Sequence, residues 1–143
     1  MDISVHEKLA SQTFNRCWDL LDGERSPDAD RELITNAFAS RYHWHQVGGA
    51  EPLSIADWMI SRAYVAIGQP IIGLQYARHA ESQIAEKFPA WLKASIYEGV
   101  ARASKACGDE LTKQLYIGLA HAELAYETRA EDAGLIRSQL EEL

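Results

Sequence analysis

Arg62-Ala63-Tyr64-Val65-Ala66-Ile67-Gly68-Gln69-Pro70 and Arg102-Ala103-Ser104-Lys105-Ala106-Cys107-Gly108-Asp109 are two versions of one helix ending. A shift from 68 to 108 superposes Arg62 on Arg102, Ala63 on Ala103, Ala66 on Ala106 and Gly68 on Gly108. Beyond the turn, Tyr76 falls on Tyr116 and Ala80 on Ala120. A glycine after a helical run is the usual left-handed residue at a helix C-terminus. Proline is at home in the first turn of the next helix. Gly68-Gln69-Pro70 therefore predicts two helices joined so tightly that they must lie antiparallel. Recurrence of the same turn predicts a stack of such hairpins.

Working outward, helical signals continue and strand signals are nearly absent: no alternating β-branched runs flank a two-residue turn. A first helix is expected from about Val5 to Leu21, with Ser4 and Glu7 as a capping box and Asp22-Gly23 as the stop. Ser26-Pro27 opens a second, with Asp28, Asp30 and Glu32 favouring its positive end and Gly48-Gly49 closing it. A third is expected to start at Ser54, with Asp57 at its third position and Leu53 and Trp58 as a hydrophobic staple. The fourth runs from Pro70 to about Lys87, with Gly73, Ala77, Ala80, Ile84 and Phe88 on one face. Pro89 closes it, a fifth spans Ala90 to Cys107, and a sixth begins at Asp109. A last helix is expected from Thr128, boxed with Glu131 and striped by Ala133, Ile136, Leu140 and Leu143. The expectation is an all-α chain: six helices in stacked antiparallel hairpins plus a C-terminal capping helix, a single domain over 1–143.

Composition agrees and removes several functions. A chain of 143 residues that is 47% hydrophobic can bury a core without metals or disulfides. Cys17 and Cys107 lie far apart in predicted helices and are read as buried thiols. No apolar run approaches the ~20 residues that span a bilayer. The opening Met1-Asp2-Ile3-Ser4-Val5-His6-Glu7 lacks the apolar block of a secretory signal, which points to the cytoplasm. A net charge of -7 argues against nucleic acid and against an anionic membrane surface.

The Gly turn with small residues on both sides resembles the tetratricopeptide repeat. Ser61 and Ala101 take the small position of the first helix, Ala80 and Ala120 that of the second. Tyr64 takes the aromatic place before the turn and Gly73 the small place after it. Asp57, Ser104 and Lys113 stand where that motif has Trp, Tyr and Ala, and the shift of 68 to 108 exceeds its usual ~34 residues. Phe14-Asn15-Arg16-Cys17-Trp18-Asp19-Leu20-Leu21-Asp22, Ser40-Arg41-Tyr42-His43-Trp44 and Trp58-Met59-Ile60-Ser61-Arg62-Ala63-Tyr64 look like a group of small bacterial proteins described as tetratricopeptide-like. The resemblance covers nearly the whole chain. It implies a short α-solenoid and no particular activity.

Candidate functional residues follow from that architecture. The first helices of such repeats line a concave groove, which places Ile55, Trp58, Arg62 and Val65, then Ser95, Glu98, Arg102 and Lys105, along it. Arg62, Arg102 and Lys105 would form a basic strip suited to an acidic peptide or protein segment. The bland alternative pairs Arg102 with Glu98 one turn back. Arg41-Tyr42-His43-Trp44-His45 is the other unusual stretch, and its cationic and aromatic groups suit a small anionic ligand. Its structural alternative lets Trp44 continue the Leu33–Ala37 stripe. His43 and His45 point about 200° apart on a helix and cannot share a metal. No nucleophile elbow, P-loop or dinucleotide motif occurs, so no enzyme, metal or cofactor is expected. Pairing of helix faces between copies, giving a homodimer, stays open.

Overall fold

Gly68 and Gly108 adopt φ of 83° and 81°, the left-handed conformation the sequence asks of them. At the first turn Gln69 N–H reaches Tyr64 O at 2.8 Å and Gly68 N–H reaches Val65 O at 3.1 Å. At the second, Asp109 N–H reaches Ser104 O at 2.9 Å and Gly108 N–H reaches Lys105 O at 3.0 Å. Both are the same Schellman ending, which satisfies carbonyls that a helix terminus otherwise leaves open.

The computed structural model describes residues 1–126 and 130–143. Its described residues form seven helices and no strand: α1 (Ile3–Asp22), α2 (Pro27–Val47), α3 (Ala50–Ala66), α4 (Pro70–Ser82), α5 (Ala90–Ala106), α6 (Glu110–Leu124) and α7 (Ala130–Glu141). The pairs α1–α2, α3–α4 and α5–α6 are hairpins, and α7 packs on α5 and α6. Backbones of α1, α3, α5 and α7 also touch in chain order and form one layer. The helices α2, α4 and α6 form the other, bridged by side chains. Tyr76 stacks on Tyr64 with centroids 6.0 Å apart and meets Phe38 edge-on. Its counterpart Tyr116 donates to Glu81 Oε2 and accepts from Arg78 Nη1. No helix of the described residues is long and apolar enough to cross a membrane.

Small residues set the spacing. A Cβ on Gly73 would stand 2.8 Å from Val65 Cγ2 and 3.0 Å from Ser61 O, so α3 and α4 meet there in near backbone contact. A Cβ on Gly99 would stand 2.8 Å from Trp58 Cδ1, which fixes the approach of α3 to α5. The core runs through the stack: Cys17, Leu33, Met59 and Ile60 between α1, α2 and α3, then Ile96, Val100 and Ala101, then Leu124, Ile136 and Leu140 where α7 packs on α5 and α6.

Four expectations need correction. α1 starts at Ile3, capped by Asp2, whose carboxylate accepts from Val5 N–H at 3.0 Å; Ser4 lies inside the helix and donates to Asp2. α3 starts at Ala50, not Ser54, so Ser54 is a buried interior residue and Leu53 with Trp58 is no staple. Pro52 falls in the first turn of α3, where its missing N–H costs nothing. α4 ends at Ser82; Phe88 leaves its line to bury itself against Leu92 and Ile96, and Pro89 disfavours helix just before it. Cys107 is exposed at the end of α5, while Cys17 is buried; both are free thiols. The expected cap at Thr128 lies outside the described residues.

Candidate functional site

Three features of this scaffold concentrate aromatic, cationic or buried acidic side chains. The first is the layer of α1, α3, α5 and α7. Between these helices lies a cleft of about 190 Å³. Phe14 and Trp18 come from α1, Ile55 and Trp58 from α3, Trp91 and Leu92 from α5, and Leu135 and Ile136 from α7; Ser95, Asp132 and Gln139 complete it. Trp18 and Trp58 meet at 5.8 Å between centroids. Leu135 is 61% exposed on the α7 side. Trp58 is buried, and its indole Nε1 has no hydrogen-bond partner among the described residues.

Beside this cleft stand the arginines. Glu98 is fully buried on α5 and takes two bonds from Arg102, at 2.8 Å from Nε and 2.5 Å from Nη2. Arg62 Nη1 lies 3.5 Å from the same oxygen. The Arg62 guanidinium also rests 4.9 Å from the Trp18 ring centroid and 5.6 Å from that of Trp58. Burial first, and then the Arg102 charge, lower the Arg62 pKa from its ordinary value, against the pull of Glu98 and Glu142. Arg102 also approaches Glu142 Oε2 at 3.8 Å, and Lys105 Nζ donates to the backbone oxygen of Glu142. Arg62, Glu98 and Arg102 are thus brought together, and Trp58 joins them. Among the described residues, Glu98 and, just after α7, Glu142 meet part of their positive charge. Lys105 is exposed and tied to Glu142.

The second feature is the stretch at the end of α2, which does not converge on one pocket. One residue per 100° of turn aims its members at different neighbours. Arg41 Nε donates to Asp57 Oδ1 on α3 at 2.9 Å. Tyr42 is exposed. His43 meets His6 of α1, Nδ1 to Nδ1 at 2.9 Å, one ring donating and the other accepting. Trp44 is half-buried by an opening shared with Ser11, Phe14, Asn15, Pro52 and Ile55.

The third feature is Asp57, fully buried in mid-helix. It collects Arg41 from α2 and, from α4, the His79 Nδ1–H at 2.8 Å; Gln83 Nε2 adds a third bond at 2.8 Å. An acidic residue within the apolar run Ile55–Ile60 is the sequence signal for it. Its partners, at separations of 16, 22 and 26, carry none. Among the described residues no group of three or more His, Cys, Asp or Glu could hold a metal ion. No family model, curated protein or solved structure matches the chain.

Proposed function

We propose that the chain is a non-enzymatic interaction module that binds a peptide or protein segment in the cleft of the α1–α3–α5–α7 layer. One observation carries this reading: Phe14, Trp18, Trp58 and Trp91 from three separate helices gather around one opening with Leu135 exposed beside it. Aromatic rings in a concave, largely dry setting are the usual anchors of protein recognition. A cleft of about 190 Å³ takes one or two side chains and not a folded domain, so the partner is an extended or helical segment with an apolar anchor residue.

The arginines then act as a frame. Arg62 stacks on Trp18 and is itself held by Glu98, which keeps the aromatic wall upright. An acidic residue in the partner still gains from the part of Arg62 and Arg102 that Glu98 leaves unpaired. The test is selection of peptides from a random library on the immobilised chain. The reading predicts that enriched sequences share an aromatic or large aliphatic anchor and are lost by Leu135→Lys, a change at an exposed position. Enrichment without a shared anchor, or insensitivity to Leu135→Lys, contradicts it.

A further inference from the structure

On a different side of α3 from the cleft, α2 and α4 leave an opening of about 470 Å³ lined by Phe38, Arg41, Asp57, Gln75, Tyr76 and His79. Its chemistry is set by the buried Asp57 carboxylate. The bond from His79 Nδ1 to Asp57 Oδ2 at 2.8 Å fixes the tautomer: the proton sits on Nδ1, and Nε2 is the nitrogen left over. The His79 side chain is 53% exposed, so that nitrogen belongs to a ring half in solvent. Arg41 commits Nε to Asp57, and its side chain keeps 29% of its surface accessible. Gln83, held on the same Asp57 oxygen, leaves the carboxylate little capacity for a further donor.

We propose that this opening binds a small planar monoanion of the aromatic carboxylate class. Its carboxylate is held by the Arg41 guanidinium and by an N–H at His79 Nε2, and its ring rests against Phe38 and Tyr76. The charge balance selects the ligand. Asp57 cancels one positive charge, so Arg41 with a protonated His79 leaves a surplus of one. A monoanion matches that surplus in the bound state. The two aromatic side chains favour a flat apolar body over a bare ion such as acetate. A neutral His79 presents a lone pair to the incoming oxygen, so the ligand binds together with one proton taken from solvent onto Nε2. The other charged and titratable groups lining the opening are Arg41 from α2, Asp57 from α3 and Tyr76 from α4. This site stands apart from the peptide cleft and does not depend on it.

The experiment is a benzoate titration of the full chain, followed by long-range nitrogen–proton spectra of the histidine rings, with acetate and benzamide as comparison probes. Benzoate is expected to shift His79 saturably and convert its Nε2 to the protonated form. In His79→Gln its affinity falls about tenfold or more, as for one charge-assisted hydrogen bond lost. Gln75→Trp, at an exposed position, fills the opening and abolishes binding while leaving every residue of the Asp57 cluster unchanged. Absence of a saturable His79 shift overturns the proposal. So does benzamide or acetate binding as well as benzoate, or unchanged affinity in both variants.

Discussion

Arg62 of α3 holds its guanidinium 4.9 Å from the centroid of Trp18 of α1, so a cation is stored against an aromatic ring between two stacked hairpins. Such a contact contributes up to about 2 kcal/mol when desolvated. It needs Glu98 behind it, because a guanidinium buried this far cannot stand unpaired. The interface between successive hairpins thus contains a charge network as well as apolar packing, and the peptide cleft lies beside it.

Removing the shared carboxylate is the direct test of that network. Glu98→Gln leaves the Arg62 and Arg102 cations facing each other with no carboxylate between them and is expected to cost about 2–4 kcal/mol. Chemical denaturation measures it. A loss below about 0.5 kcal/mol would show the cluster to be a solvated surface pair instead.

The Asp57 cluster behaves in the same way on the other side of α3. Asp57→Asn removes the buried charge from Arg41 and His79 and is expected to destabilise by about 2–4 kcal/mol. His79→Gln, at a half-exposed ring, costs less than about 1 kcal/mol. The contrast between the two variants in one denaturation series checks the assignment.

Glycines divide by what surrounds them. Gly99→Ala puts a methyl 2.8 Å from Trp58 Cδ1 and is expected to lose about 1–3 kcal/mol through overpacking, despite alanine's better helix propensity. Gly118→Ala in α6 meets nothing within 4 Å and is expected to gain about 1 kcal/mol. Thermal unfolding of the pair gives opposite signs if the α3–α5 approach is as described.

The two thiols predict a further contrast. Cys17 is buried and its pKa is pushed up to about 12 by desolvation, whereas Cys107 is exposed. In the native chain an aromatic disulfide reagent should titrate Cys107 alone, and Cys17 only after unfolding. The sign of the pH effect follows. An unfolded Cys17 releases its proton near 9.0 and the folded one near 12, so the folded chain holds the extra proton in between. Its contribution to stability is full below pH 9.0 and declines as pH rises through that window.

Much of the fold is legible in the sequence because its signals are local. Gly68, Gly108 and Pro70 act on their own backbone, and the i, i+4 spacing of Glu98 and Arg102 announces their bond. The start of α3 is not legible in that way. Ser54 and Asp57 imitate a capping box, and only tertiary burial reveals that both are interior. The site is harder still. Trp58 and Arg62 can be placed on one face by periodicity. Phe14, Trp18, Trp91 and Leu135 reach the same cleft only because α1, α3, α5 and α7 stack in order. Arg41 goes to Asp57 and His43 to His6 because the neighbouring helices, not the α2 stretch itself, decide where each side chain finds a partner.

The cleft itself can be watched through its indoles. Trp18, Trp58 and Trp91 line it, and Trp44 lies by a separate opening beyond Phe14 and Ile55. Nitrogen–proton spectra of the indole groups during titration with a selected peptide therefore test the account most directly. The account predicts saturable shifts of Trp18, Trp58 and Trp91, with Trp44 moving least. Peptide binding that leaves those three signals in place, or that moves Trp44 alone, would contradict it.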